Sequence, residues 1–251
     1  MRTSLVALAT CSLIVAGGVA GATPADAATP ADAATGCRTA TTIVSSSVSP
    51  RTVVLGVSQP KGIVLTAKIR SNGCTVKRVE MGLYGPNFVD SFDLDRVSTS
   101  HGVTTYDKGL RITPGALPNS EAGRWASYVS VWGERQPNSP GPHWRIVRAS
   151  RLTTNAAPEP VRKGKTITVK GSLKRADWET RTYRGYGKRT VQLQWRSSAG
   201  FYRVVKTVTT NKRGTLSTKV KAVRDGCFRF VFPGSSTTAP ATSSGDCVAV
   251  R

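Results

Sequence analysis

The sequence predicts an all-β protein built of two antiparallel sandwiches in tandem. Three observations carry that expectation. Short runs of alternating apolar and polar residues recur along the chain, 24 Gly and 14 Pro stand among abundant Ser and Thr, and no helix-favouring stretch follows the N-terminal region. Apolar residues make up 39% of 251, enough to fill one or two cores, so intrinsic disorder is excluded. A helical bundle and a dinucleotide-binding α/β domain are excluded by the same composition.

The elements follow in chain order. Met1 and Arg2 precede an uncharged run from Leu5 to Ala22, then small residues with Ala-x-Ala sites, which is the layout of a secretory signal peptide over residues 1–33. The hexapeptide Ala-Thr-Pro-Ala-Asp-Ala stands twice in tandem, Ala22–Ala27 and Ala28–Ala33, so cleavage fits after Ala27 or Ala33, with Ala33 preferred. No later run reaches the roughly 18 apolar residues of a membrane span. The expected address is therefore extracellular or wall-associated.

The first sandwich is expected over residues 34–152. Ile63, Leu65, Ala67 and Ile69 alternate with polar or exposed-phase neighbours, and Val79, Met81 and Leu83 do the same, as half-buried strands would. Between Trp125 and Trp132 bulky residues fall on both phases, which predicts a central strand covered on both sides. Residues 144–153 close this domain. The polar, proline-bearing stretch 153–160 reads as a linker.

The second sandwich, 161–251, repeats the pattern with Ile167 and Val169, then Val191, Leu193 and Trp195, then Leu216, Thr218, Val220 and Ala222, then Phe228, Phe230 and Phe232. Asn211-Lys212-Arg213-Gly214 is the turn between two of these strands, its glycine supplying positive φ. Seven or so short strands at regular spacing predict an immunoglobulin-like sandwich. Four cysteines remain after the leader, and four in an exported chain permit three pairings. One bridge per domain, Cys37 with Cys74 and Cys227 with Cys247, is the expected set, and no Cys-x-x-Cys spacing suggests zinc.

The stretch from Leu152 through Asn155 and Pro158-Glu159-Pro160 to Ile167, together with Arg175-Ala176-Asp177-Trp178-Glu179, Val191-Gln192-Leu193-Gln194, Asp225-Gly226 and Ser244-Gly245-Asp246, resembles a group of secreted actinobacterial proteins. These are two-domain Ig-like exported proteins, mostly uncharacterised, some carrying an automatic calcium-binding label. The resemblance implies fold and export and transfers no site residues. It is strongest over 152–251, and Cys227 and Cys247 stand where such relatives have aromatics.

The residues offer little to catalysis. Only His101 and His143 are present, and neither Gly-x-Ser-x-Gly nor His-Glu-x-x-His occurs. A carboxylate-dependent hydrolase would have to draw on Asp90, Asp93, Asp95 and Glu121, so the expectation is a protein that is not an enzyme. The acidic run Asp90 to Asp95 is also the one candidate for calcium. Extended backbone would point Ser91, Asp93 and Asp95 to one face, a start on the six to eight oxygens Ca²⁺ needs, whereas the competing reading is a solvated strand edge paired with nearby bases.

Charge is the strongest signal. Lys and Arg number 36 against 14 Asp and Glu, a net +22, and residues 156–251 hold 20 of the cations against 5 acids. Within that half, Lys174, Arg175, Arg181, Arg184, Lys188 and Arg189 interleave with Trp178, Tyr183 and Tyr186. Guanidinium groups beside flat rings grip phosphates or carboxylates while the rings stack on sugars or bases, making this the binding-site candidate. The competing reading is a crossover whose Trp178 and Tyr183 cover the core. The expected partners are anionic polymers of the cell wall or extracellular matrix, with nucleic acid bound non-specifically. A calcium- or ligand-binding accessory module is the alternative.

Overall fold

A computed structural model describes Cys37 and residues 39–251. The signal-peptide expectation lies outside the described residues. Within them the regular structure is strand, apart from one 3₁₀ turn at Asn119–Glu121.

The first sandwich pairs two sheets. One runs β1 (Thr42–Ser49), β3 (Lys61–Arg70), β7 (Val103–Ile112), β6 (Asp95–Ser100). The other runs β2 (Thr52–Leu55), β10 (Trp144–Arg148), β8 (Gly123–Gly133), β4 (Val76–Tyr84), β5 (Val89–Asp93), with β9 (Asn138–Pro140) also on β8. The period-2 pattern of β3 holds: Ile63, Leu65, Ala67 and Ile69 are buried and meet Val79, Met81 and Leu83 of β4 in one apolar cluster. β8 departs from expectation. It is central in its sheet, yet only the Trp125, Val129 and Val131 phase is buried, while Trp132 is 42% exposed beneath the Arg78 guanidinium, 4.8 Å from its ring centre. β8 is antiparallel to its neighbours, an arrangement that needs cover on one face only, and an aromatic on the wet face is shielded by a cation instead.

The second sandwich pairs a sheet around β13 (Thr166–Asp177), carrying β11 (Ser150–Leu152), β12 (Asn155–Ala157), β14 (Thr182–Gly185) and β17 (Thr215–Lys221), with a sheet β16 (Arg203–Thr209), β15 (Thr190–Arg196), β18 (Gly226–Phe232), β19 (Ala241–Thr242), to which β20 (Asp246–Val248) adds. Phe230 and Phe232 pack with Val169, Leu173, Val191 and Leu193 in its core. Gly214 closes the turn between β16 and β17 at φ +82°, as its position in the turn requires.

Both expected bridges form. Cys227 and Cys247 face each other directly across β18 and β20, and Cys37 joins Cys74. The first of these closes a sequence separation of 20 residues, and its chain-entropy contribution is about 3 kcal/mol.

Within the stretch 153–160, expected as a linker, residues 155–157 form strand β12. Asn155–Ala157 pairs with Thr168–Lys170 of β13, Ala156 is buried, and its N–H donates to Asp246 Oδ2 at 2.6 Å. Polar composition hid this, because the strand's stabilisation comes from backbone pairing and a distant carboxylate rather than from apolar side chains.

The two sandwiches belong to one compact unit, Gly36–Arg251, and the β13–β14 hairpin locks them together. Its buried residues Ala176 and Trp178 join the apolar cluster of the first sandwich, and Ala176 N–H donates to the Ala149 carbonyl at 2.8 Å. Asn119 Nδ2 donates to Asp177 Oδ1, while Trp178 N–H donates to Asn119 Oδ1, both at 3.0 Å. Arg148, 7% exposed, donates from Nε to the Ala176 carbonyl. Burial, then the nearby Arg175 charge, pushes the Arg148 pKa down to about 10, still well above neutrality.

Candidate functional site

The candidate binding segment is this hairpin and the turn after it. In β13–β14, Arg175 faces Arg184, Ala176 faces Tyr183 and Asp177 faces Thr182. Strand alternation then divides the residues between the interior and solvent. The sequence-predicted set does not form one stacking platform.

Trp178 is fully buried, its indole N–H donating to the Leu55 carbonyl at 3.1 Å, so it packs and cannot stack on a ligand. Tyr186 is also buried, in the second core, edge-on to Phe232. The Arg175 and Arg189 guanidinium groups lie 4.1 and 4.4 Å from its ring centre. Burial acts to raise the Tyr186 pKa, but hydrogen bonding with Ser235 and Thr238 and the charges of Arg175 and Arg189 outweigh it and hold the phenol below its ordinary value. Tyr183 is half-buried with Arg151 3.9 Å from its ring centre. The aromatics thus organise arginines and seal the junction.

The cations Lys174, Arg181, Arg184 and Lys188 stay exposed. Arg184 Nε pairs with Asp177 at 3.2 Å, and the other three have no ion pair with a described carboxylate. Arg181 and Lys188 hold φ of +52° and +56°, the left-handed region that favours glycine, and a side chain there costs roughly 1 kcal/mol. Asp177 sits opposite Thr182 at the turn end of the hairpin. The Asn119 hydrogen bond first, with Thr180 and the Arg184 charge, holds its carboxyl below the usual carboxylate range against the opposing effect of desolvation.

A second basic feature was not legible in the sequence. Arg51, Arg124, His143 and Arg145 line a cleft of about 720 Å³ whose opposite wall is the loop around Ser235 and Ser236 of the second sandwich. Arg145 donates to the Ser235 and Ser236 carbonyls at 3.2 and 2.7 Å, and no described carboxylate lines the cleft. Strand register assembles it, Arg145 pairing with Arg124 on one side and Thr52 on the other. Only that register could have signalled it, because the residues are scattered over almost a hundred positions of chain.

The acidic run is divided between the sheets. Asp90 and Asp93 lie on β5, and the chain crosses at buried Leu94 to Asp95 on β6. Arg78 takes Asp93 at 3.4 Å, and Lys108 takes Asp95 at 2.9 Å. Among the described residues, the carboxylates of Asp90, Asp93 and Asp95 do not converge within 4.8 Å of one another. Among the described residues, the one cluster that meets that distance is Cys37, Cys74 and Glu134, whose cysteines are joined in a disulfide. Glu121 is buried and accepts the Asn87 N–H at 3.2 Å. Ser100 Oγ and His101 Nδ1 lie 2.9 Å apart on an exposed turn, but no hydrogen-bonded carboxylate orients the ring among the described residues.

No protein-family model and no curated protein matches the sequence. Among solved structures the chain is similar to the Escherichia coli adhesin FdeC, with 12% identity, TM-score 0.36, and coverage of 85% of this chain and 66% of that one. It is similar to the Yersinia pseudotuberculosis adhesin InvE, with 15% identity, TM-score 0.31 and coverage of 84% and 58%. A segment of two fibronectin type III domains from chicken tenascin gives 13% identity, TM-score 0.36 and coverage of 76% and 95%. The chain spans less than two thirds of either adhesin chain. TM-scores at this level carry nothing about ligands.

Proposed function

We propose that this is an exported, non-catalytic binding protein whose basic second sandwich holds anionic polymers of the cell envelope or extracellular space by charge. One observation carries the reading: residues 156–251 contain 20 Lys and Arg, yet their described side chains make a single ion pair, Arg184 with Asp177. A field of unneutralised cations on a rigid sandwich disfavours the compact state by self-repulsion and favours any polyanion that relieves it. The exposed hairpin cations and the Arg51, Arg124 and Arg145 cleft supply contact points on both sandwiches. With Trp178 and Tyr186 internal, binding is electrostatic and indifferent to sequence. The leader-like residues 1–33 and two disulfides support export, and no described helix is long and apolar enough to cross a membrane.

Fractionation of the producing cells tests this. The protein is expected in the envelope fraction and is expected to be released by a high-salt wash. Recovery wholly in the medium at low salt, or retention through high salt, contradicts it.

A further inference from the structure

The second sandwich carries an apolar cavity of about 440 Å³ between its two sheets, open at the edge where β16 and β17 flank the seam. Its floor is Ile167, Trp195, Val220 and Phe228, drawn from both sheets, and its mouth is Lys221 and Arg224. The volume falls within the roughly 300–1,000 Å³ of small-molecule sites, which are likewise apolar with a few placed polar groups.

Two further observations bear on what it takes. Leu193 pairs with Lys206 and Gln194 with Val204, so Val205 is the extra residue of a β-bulge, and it lines the cavity. Bulges re-aim side chains at strand edges and beside binding sites. The mouth, meanwhile, is charged in one sense. Arg224 rests 4.9 Å from the Trp195 ring centre, and neither it nor Lys221 pairs with a described carboxylate. The neighbouring Asp225 accepts the Val250 N–H at 2.6 Å.

We propose that this cavity binds a free, single-chain amphiphilic anion of the fatty-acid class. The aliphatic tail lies against Trp195, Phe228 and Val205, and the carboxylate meets Lys221 and Arg224. A space between sheets that opens at one edge suits one chain in solution rather than the face of a bilayer, and the two unpaired cations complement a single anionic head. The proposal is independent of polymer binding and uses a different driving force, burial of apolar surface, which salt does not screen.

The test is calorimetric titration of the mature protein with monomeric dodecanoate in about 0.5 M salt, where a Debye length near 4 Å suppresses polyanion binding. Saturable one-to-one binding is expected, with dodecanol weaker. Lys221→Gln with Arg224→Gln weakens dodecanoate by roughly tenfold and erases its advantage over dodecanol. Val205→Glu abolishes binding while the melting temperature holds, since Val205 is 48% exposed. Absence of saturable binding overturns the proposal, as does equal binding of dodecanol by the native protein. Binding confined to anionic phospholipid vesicles, or dimerisation without dodecanoate uptake, overturns it in favour of a bilayer or a second copy. None of these results bears on salt-sensitive polymer binding at low ionic strength.

Discussion

Trp178 Nε1 donates to the carbonyl of Leu55 at 3.1 Å, joining a hairpin of the second sandwich to a strand of the first across 123 positions of chain. This indole closes the junction, so Trp178→Ala is expected to lower stability by about 3–5 kcal/mol, the usual range for emptying a buried aromatic site. Polyanion affinity of the folded protein should be unchanged at fixed salt. Thermal denaturation beside a binding titration checks both, and lost affinity without lost stability would restore Trp178 as a stacking group.

That junction also marks what sequence could convey. The alternation of Ile63, Leu65, Ala67 and Ile69 was readable because one buried face imposes a period of 2. The pairing of Cys227 with Cys247 was readable from proximity in the chain. Trp178 was legible only as one of two readings, because its place among Lys174, Arg175, Tyr183 and Tyr186 fits a stacking platform as well as a core cover, and its distant partner, the Leu55 carbonyl, decides between them. Strand β12 was hidden because backbone pairing with β13 and the distant Asp246 carboxylate stabilise it rather than apolar side chains, and the Arg51, Arg124 and Arg145 cleft because strand register joins residues almost a hundred positions apart.

Acid should loosen the junction through Asp177. Its pKa is depressed in the folded state, chiefly by Asn119, so its contribution to stability is complete above the unfolded value near 4 and is lost as pH falls through the folded value. Asn119→Ala should flatten the acid side of the stability profile below about pH 4. Denaturant midpoints of both proteins from neutral pH downward measure this, and parallel profiles would remove Asp177 from the account.

A fragment of residues 156–251 should fold poorly. It loses β11 and exposes Ala176 and Trp178, both buried in the first sandwich's core. Analytical sedimentation is expected to reveal aggregation or a low melting temperature, whereas a monomeric fragment as stable as the whole chain would make the sandwiches independent.

Calcium should leave the melting temperature unmoved. Asp93 and Asp95 already meet Arg78 and Lys108 on opposite sheets, and exposed pairs of this kind contribute about 0–1 kcal/mol. Asp93→Asn with Asp95→Asn should therefore shift stability little, with or without millimolar Ca²⁺. A calcium-dependent rise abolished by the double variant would establish the site.

The central claim is that exposed, unpaired cations hold a polyanion by displacing its counterions. The direct measurement is the affinity of the mature protein for duplex DNA, as a model polyphosphate, across a salt series. Each phosphate contact adds about 0.9 to the log–log slope, so replacing Lys174, Arg181 and Lys188 by Gln should lower it by roughly two to three units while the melting temperature holds. An unchanged slope, or no binding by the native protein at low salt, would contradict the account.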